Sequence, residues 1–387
     1  MEYVNRIGTH SYKWDGLKQK FGAGDLLAMW VADMDFPSPP CAVKALHEYV
    51  DMPLGYFSTP DSYFDAVIQW ERQRHGYEIQ KEWICVTPGI VPALHWAVRT
   101  LTAPGDSVMV STPVYYPFMD AVKNSGQRRL VESELKKTGT FYELDMEKFE
   151  KDIVENNVKL YILCNPHNPV GRVWTREELA QIVEICKRHQ VIILSDEIHQ
   201  DIVNPALGRR KVTTATVGDY ENGIITMASV SKTFNLAAVQ NSFIIIPNLQ
   251  MRQSFDTFLR EMALDDVNGF GFIAAEAAMR GGDRWLEEVL EQIYGNFDYL
   301  KQRFAAECPQ VKISDLEGTY LAWMDFGAYC KTPQDVKALL QDRCRIAIDY
   351  GSWFGGTEHK TFARMNLATS RENVKEACDR ILRALNP

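Results

Sequence analysis

Four short segments of the sequence place polar, chemically capable side chains directly after apolar runs. The apolar runs are typical of β-strands, and the segments that follow them are 87–93, 164–171, 195–199 and 228–235. In an open parallel sheet, the carboxyl ends of the strands line the crevice that binds ligands. Because all four segments follow strands of this kind, we expect them to converge on one site.

The residue types in these segments indicate what such a site would bind. Lys232 follows a strand and can form a Schiff base with a carbonyl. Asp196 ends an apolar strand, and a buried carboxylate there needs a cationic partner such as a protonated ring nitrogen. Gly89 opens a helix whose free backbone N–H groups and dipole favour an anion by roughly 0.3–1 kcal/mol. A ligand with an aldehyde, a basic ring nitrogen and a phosphate satisfies all three, and pyridoxal phosphate has these groups.

Other motifs in the sequence do not fit their usual context. Residues 269–274 match the dinucleotide fingerprint G-x-G-x-x-A, but no strand precedes them, so a turn entering a helix is the better interpretation. Ser229 and Lys232 match S-x-x-K, yet the K-T-G of residues 137–139 comes before this pair rather than after it. The cysteines lie at least 14 residues apart and form no zinc-type pair, so we predict no metal site.

The chemistry requires a sheet that can hold these segments, and the stretch from about residue 84 to 246 supplies it. Apolar runs separated by helical patterns predict a mostly parallel sheet covered on both faces. In one of the helices, 175–189, Thr175 and Glu178 have the spacing of a capping box. The predicted strands are 84–87, 107–111, 129–132, 159–164, 191–195, 224–228 and 242–246.

The pattern changes after about residue 285. A long helix, 285–307, is followed by short strands mixed with two more helices, which is typical of an α+β unit. We therefore predict an α/β protein: a large domain, residues 46–285, with a seven-stranded sheet between helices, and a smaller domain built from residues 1–45 and 286–387. The elements predicted for the smaller domain are strands 320–325, 345–349 and 363–367 and helices 333–342 and 371–385.

Composition and charge disfavour several classes of protein. The 387 residues include 42 Lys and Arg against 51 Asp and Glu, a net charge of −9, whereas nucleic-acid binding requires a basic face. The strongest apolar runs are four or five residues long, and a membrane span needs about 20. The N-terminus lacks the charged and apolar regions of a secretory signal. Because several of the eight cysteines lie in apolar stretches, we expect buried, reduced thiols and a cytoplasmic protein.

In order and combination, the segments resemble the fold-type I pyridoxal-phosphate enzymes of the aminotransferase superfamily. The resemblance covers nearly the whole chain and is closest to the C–S lyases, which include cystathionine β-lyase, cystalysin and the maltose-regulon modulator. The segments that carry it are 31–36, 54–57, 112–118, 165–171, 195–199, 231–235, 317–320 and 364–368. The resemblance implies fold type I and pyridoxal 5′-phosphate as the cofactor.

The resemblance also implies a role for each matching residue. Lys232 would form the Schiff base, Asp196 would pair with the pyridine nitrogen, and Tyr115 would stack on the ring. The residues expected to contact the cofactor are Gly89, Ile90, Val91, Tyr115, Asn168, Asp196, His199, Ser229, Lys232 and, from the other subunit of a homodimer, Tyr56. Those expected to contact the substrate are Ala32, Tyr116, Asn168 and Arg364, with Arg364 binding the α-carboxylate as a fork. Lys232, Tyr116 and Tyr56 are the predicted catalytic residues.

Two positions depart from the aminotransferase pattern. His199 stands where many aminotransferases have tyrosine, and Gln240 stands where many have a basic residue for the phosphate. The histidine is shared with the C–S lyases, so the resemblance favours a lyase over a transaminase. The absence of the basic residue implies a phosphate held with one less positive charge.

We therefore predict β-elimination from a small amino acid, a cysteine S-conjugate such as cystathionine, to give pyruvate, ammonia and a thiol. Two alternatives remain at this point. One is an aminotransferase that acts on aromatic or branched amino acids. The other is a regulatory protein that binds a transcription activator, as the maltose-regulon modulator does. The sequence does not decide which substrate is used.

Overall fold

The computed structural model describes residues 1–265 and 268–385; positions 266–267 and 386–387, which belong to the two predicted domains, lie outside the described residues. Its strands are β1 (Leu27–Ala28), β2 (Ile84–Thr87), β3 (Ser107–Val110), β4 (Arg129–Glu132), β5 (Lys136–Thr138), β6 (Phe141–Glu143), β7 (Val158–Cys164), β8 (Ile192–Asp196), β9 (Ile224–Ala228), β10 (Ser242–Ile245), β11 (Lys312–Ile313), β12 (Leu321–Asp325), β13 (Ile346–Ala347), β14 (Asp349–Tyr350) and β15 (Phe362–Asn366).

The α-helices range from single turns to one helix of 25 residues. They are α1 (Tyr12–Asp15), α2 (Leu17–Phe21), α3 (Pro40–Val50), α4 (Asp61–Trp70), α5 (Ile90–Leu101), α6 (Pro117–Lys123), α7 (Met146–Asn156), α8 (Arg176–Arg188), α9 (Val230–Thr233), α10 (Leu249–Glu261), α11 (Gly269–Gly281), α12 (Asp283–Glu307), α13 (Pro333–Lys337) and α14 (Arg371–Leu385). No helix in the described part of the chain is long and apolar enough to cross a membrane.

The largest sheet has seven strands in the order β2-β10-β9-β8-β7-β3-β4. Strands β9, β8, β7, β3 and β4 are parallel to one another, and β10 is antiparallel to both β2 and β9. This confirms the predicted mostly parallel, seven-stranded sheet, and each predicted strand agrees with the observed one to within one residue at either end. Because β2 and β9 therefore run the same way, the carboxyl ends of β2, β3, β7, β8 and β9 all lie along one edge.

Alternating residues of the buried strands enter two different apolar clusters. In β7, Leu160 and Ile162 pack with α5, α6 and α10, whereas Tyr161 and Leu163 pack with the cluster that includes α8, α11 and α12. This alternation follows from the two-residue period of a strand. Helices therefore cover both faces, as the continuous apolar character of the strands predicted.

The C-terminal part of the chain forms a second sheet, in the order β11-β12-β15-β14. Strand β1, near the N-terminus, pairs in parallel with β13, with Leu27 opposite Ile346. This pairing joins the two chain ends, as the predicted smaller domain requires; the domain boundaries themselves stay a prediction.

Two predicted elements in this part of the chain differ from the observed ones. The predicted strand 345–349 is divided into β13 and β14, because the first pairs with β1 and the second with β15 of another sheet. The predicted helix 333–342 begins as α13 but continues from Ala338 to Arg343 as a π-helix.

The N-terminus of α8 shows how strongly the local sequence fixes an element. The Thr175 hydroxyl accepts a hydrogen bond from the Glu178 N–H at 3.2 Å, and the Glu178 carboxylate accepts one from the Thr175 N–H at 2.8 Å. The predicted capping box is therefore confirmed. The same carboxylate also binds Arg172, at 2.8 Å, which ties the helix to the loop before it.

Replacing Thr175 with alanine removes this cap and leaves an N–H of the first turn without a partner. We expect Thr175→Ala to lower the free energy of unfolding by about 1 kcal/mol, measured by denaturant unfolding. Thr257→Ala is the control, because Thr257 is exposed in the middle of α10 and alanine is a better helix former than threonine. Equal stability of the two variants would contradict the assigned role of the cap.

Candidate active site

A cleft of about 970 Å³, counting the space open to solvent, lies at the carboxyl ends of the large sheet. Each of the four segments singled out in the sequence contributes to its wall, so the predicted convergence is confirmed. The C-terminal part of the chain contributes Asp349 and Arg364 to the wall of the cleft. The lining residues are Val31, Ala32, Pro88–Pro92, Tyr115, Tyr116, Cys164, Asn168, Asp196, Ile198, His199, Ser231, Lys232, Ala237, Asn241, Asp349 and Arg364.

Lys232 lies on the single turn of α9, and its Nζ donates a hydrogen bond to the Ala32 carbonyl at 2.6 Å. Burial, opposed by Asp33 and Asp196 and assisted by Arg364, lowers the pKa of Lys232 to about 8. About a tenth of this amine is therefore neutral at pH 7, far more than for an ordinary lysine. A neutral amine can attack a carbonyl or accept a proton.

Asp196 is the last residue of β8 and is buried in the cleft wall. One carboxylate oxygen accepts a hydrogen bond from the Ile198 N–H at 3.0 Å, and no cation of the described residues forms an ion pair with Asp196. Burial raises the pKa of Asp196 to about 7, although Ile198 and Lys232 oppose the shift. Such a carboxylate is incomplete without a ligand, because desolvation of an unpaired charge is costly.

The first turn of α5 supplies unpaired backbone donors. Gly89 is the N-cap residue and provides no side-chain cap, so the N–H groups of Ile90 and Val91 have no partner within the helix. A negative ligand group at this position would gain from both N–H groups and from the helix dipole.

The hydroxyl of Ser229, for which a contact with the phosphate is predicted, is hydrogen-bonded within the chain, and Ser229 is not among the residues that line the cleft. It donates a hydrogen bond to the Asn241 carbonyl at 2.8 Å and accepts one from the Ser231 N–H at 3.0 Å. Ser229 thus caps α9, because a serine at this position satisfies an N–H of the first turn. Ser231 lines the cleft instead.

Arg364 is 2% exposed, and its guanidinium is held by several groups. Nη1 donates to Asn168 Oδ1 at 2.9 Å, Nη2 forms an ion pair with Asp349, and the group lies 5.0 Å from the centroid of the Phe354 ring. Nε is buried and has no hydrogen-bond partner among the described residues. The sequence reasoning missed Asp349; its signal was a lone acid inside an otherwise apolar strand region.

Aromatic and imidazole rings complete the wall. The Tyr115 N–H donates to the Asn168 carbonyl at 3.0 Å, and the Tyr116 ring packs edge-on against the Phe354 ring, with centroids 5.8 Å apart. His199 is buried, with its ring 5.6 Å from Tyr320 and Nδ1 without a partner. Burial, together with the nearby cations, lowers the pKa of His199 well below its usual value, so the ring is neutral.

Two residues from the sequence analysis lie away from the cleft. Tyr56 is fully exposed and does not line the cleft of its own chain. Gln240 is also exposed, in a left-handed backbone conformation with φ 52°. Neither side chain reaches the site within one chain.

The comparison with known proteins agrees with this geometry. The family model for aminotransferase class I and II matches residues 25–381. The chain belongs to the class I and II aminotransferase family. Within this family, it is 38% identical to the protein named cystathionine beta-lyase PatB from Bacillus subtilis, over 98% of both chains.

Solved structures of the same family superpose on nearly the whole chain. Cystalysin from Treponema denticola, whose structure contains pyridoxal 5′-phosphate, has a TM-score of 0.94 and 34% identity, covering 100% of this chain and 98% of its own. The C-S lyase from Staphylococcus hominis, solved with PLP bound, has a TM-score of 0.92 and 30% identity, covering 100% and 97%. These comparisons confirm the fold and the family expected from the sequence.

The unpaired carboxylate of Asp196 predicts an unusual pH dependence of stability. Its pKa is raised to about 7 in the folded protein, so the folded state loses stability as pH rises from about 4 through 7. In the ligand-free protein, we expect Asp196→Asn to raise the free energy of unfolding by up to about 4 kcal/mol at pH 8, with the gain disappearing toward pH 4. Denaturant unfolding at several pH values measures this difference.

Asp201→Asn is the matched control, because this buried carboxylate is already paired. Burial alone would raise the pKa of Asp201, but His75, Arg74 and Thr233 bring it down to about 2. The stability that ionised Asp201 contributes to the folded state is therefore fully present above about pH 4 and is lost only as the pH falls through about 2. We expect this variant to lose about 2 kcal/mol at both pH 8 and pH 5. If both variants changed the free energy of unfolding in the same way, Asp196 would have a partner in the folded protein, and the prediction would be wrong.

Proposed function

We propose that this protein is a pyridoxal-phosphate-dependent C–S lyase that releases pyruvate, ammonia and a thiol from cysteine S-conjugates. One observation carries the proposal: Lys232, an unpaired Asp196 and Arg364 line the same cleft. The lyases among the relatives support the reaction class. The names of the relatives also favour a lyase over a transaminase within this family.

The residues of the cleft fit pyridoxal phosphate. Asp196 is a buried acceptor without a cationic partner and would accept a hydrogen bond from the protonated ring nitrogen. The N–H groups of Ile90 and Val91 would hold the phosphate. Asn168 uses Oδ1 for Arg364, which leaves its Nδ2 donors for the ring hydroxyl.

The roles of Tyr115, His199 and Ser231 follow from their positions in the wall. We propose that Tyr115 packs on the ring and that His199, being neutral, adds no charge beside Asp196. Ser231 is the serine that lines the cleft, and Ser229 would support it by capping α9.

When it is bound, pyridoxal phosphate supplies an aldehyde for the amine of the substrate and an electron-withdrawing ring next to Cα. Arg364 binds the α-carboxylate of the substrate and thereby fixes the orientation of the Cα–H bond. Lys232, with its pKa lowered to about 8 by burial, accepts the Cα proton as a neutral amine. Ala32 and Tyr116 form part of the wall around the substrate. The thiolate of the substrate leaves from its Cβ.

The fate of the amino group distinguishes a lyase from a transaminase. We expect the holoenzyme, given cystathionine and no keto acid, to release pyruvate over many turnovers, measured with a coupled dehydrogenase assay. Lys232→Ala should reduce this rate by about 10³-fold or more, because the base is lost. A single equivalent of product per site, or an active Lys232→Ala protein, would contradict the proposal.

We further propose that the protein acts as a cytoplasmic homodimer in which Tyr56 completes the neighbouring site. Two observations support the dimer. Tyr56 is fully exposed in one chain, and the segment around it presents the exposed apolar side chains of Met52 and Leu54. The buried thiols, which form no disulfide among the described residues, fit a reducing compartment.

Hybrid dimers test this arrangement. We expect Tyr56→Ala and Lys232→Ala homodimers to be weakly active or inactive. A purified heterodimer of the two variants should have one intact site and about half of the wild-type activity, because the two sites are related by symmetry. The assay is pyruvate release by doubly tagged heterodimers. An inactive heterodimer would place Tyr56 in its own subunit's site, and a fully active Tyr56→Ala homodimer would remove it from catalysis.

A further inference from the structure

Asp349 faces the substrate end of the cleft because of strand register. It lies on β14 directly opposite Arg364 on β15, and such cross-strand pairs project to the same face of the sheet. One carboxylate oxygen forms an ion pair with Arg364 Nη2. The other, Oδ1, is buried and has no partner within the described residues, although Asp349 lines the cleft. An acceptor is thus left open beside the group assigned to the substrate carboxylate.

The charges at this end of the cleft do not balance once a substrate is bound. One guanidinium would then serve two carboxylates, that of Asp349 and that of the amino acid, which leaves a net charge of −1. Asp349 is 1% exposed, so water screens this charge poorly. A cation carried by the substrate side chain would restore neutrality, whereas a third carboxylate would increase the repulsion.

The other cations near this end do not fill that role. Lys20 lies against Trp353, with its Nζ 4.6 Å from the ring centroid, but it does not line the cleft. Lys232 is assigned to proton transfer as a neutral amine. Tyr116, which lines the cleft, is uncharged and packs edge-on against the Trp353 ring, with centroids 6.2 Å apart.

We propose that Asp349 selects the substrate side chain by its charge. It binds an ammonium group carried by the thiol portion of a cysteine S-conjugate and disfavours side chains that end in a carboxylate. The inference rests on the proposed function, because it takes the α-carboxylate to be bound by Arg364. Asp349 is then a specificity-determining residue, distinct from the groups that perform the elimination.

Three S-conjugates that carry an ammonium, a methyl or a carboxylate group on the same two-carbon linker isolate the charge: S-(2-aminoethyl)-cysteine, S-propylcysteine and S-(2-carboxyethyl)-cysteine. For the holoenzyme, we compare kcat/KM of Asp349→Asn with that of wild type on each. Relative to the propyl compound, the variant should lose about tenfold on the aminoethyl compound and gain about tenfold on the carboxyethyl compound. Comparing each substrate with itself cancels differences in the leaving thiol.

Two further variants separate charge from structure. Asp349→Glu keeps the charge and should keep the wild-type order of substrates. Asp120→Asn removes an exposed carboxylate near Tyr116 that does not line the cleft, and it should also leave the order unchanged. An equal loss on all three substrates in Asp349→Asn would overturn the inference, because it would show that Asp349 only positions Arg364.

Failure of the proposed function is distinguishable from failure of this inference. If wild type releases no pyruvate from any of the three compounds, the lyase proposal fails, and the series is then compared by dissociation constant. Wild type should bind the aminoethyl compound more tightly than the carboxyethyl compound, a comparison that needs no variant. Equal or reversed affinities would overturn the charge selection even if Asp349→Asn did not fold.

Discussion

The cost of removing charged groups from water is the constraint on which the organisation of this molecule depends. Most of its buried charges have partners in the chain: Lys13 pairs with Asp35 at 2.7 Å, and Glu197 pairs with Lys211, all four side chains being fully buried. Asp196, directly before Glu197, has no such partner. Of two adjacent carboxylates at the end of one strand, Glu197 therefore has an ion-pair partner in the chain and Asp196 has none. At Asp196, the chain leaves the compensation of a buried charge in the cleft to a ligand.

The elements around the cleft fix the uncompensated groups in position. α9, which carries Lys232, is only four residues long, and a helix of that length has little stability of its own. Its position is set by Ser229 at its start and by Thr233, whose hydroxyl donates to Asp201 at 2.7 Å. Asp201 is held in turn by Arg74 and His75. The position of Lys232 thus depends on Asp201, a buried and fully paired carboxylate that holds α9 through Thr233.

Much of this arrangement could be predicted because it is encoded locally. Apolar runs gave the strands, the spacing of Thr175 and Glu178 gave a cap, and topology then required the polar ends of parallel strands to meet. The local pattern marks Asp349 only as a lone acid in an apolar strand region, because its position opposite Arg364 depends on the register between two strands, which no local pattern specifies. The orientation of the Ser229 hydroxyl depends equally on its neighbours. Tyr56 is a different case, since the role proposed for it lies outside the single chain.

The hydrogen bond from Lys232 to the Ala32 carbonyl has a consequence for the opposite wall of the cleft. A ligand that engages the lysine removes the donor from that carbonyl, yet the surrounding segment has other anchors. Asn366 Nδ2 donates to the carbonyls of Val31 and Asp33 at 2.7 Å each, and the Asn235 amide makes two 3.0 Å bonds with the backbone of Met34. Hydrogen bonds therefore hold this segment on both sides of Ala32, and it keeps its position when the Lys232 amine leaves the Ala32 carbonyl to bind a ligand.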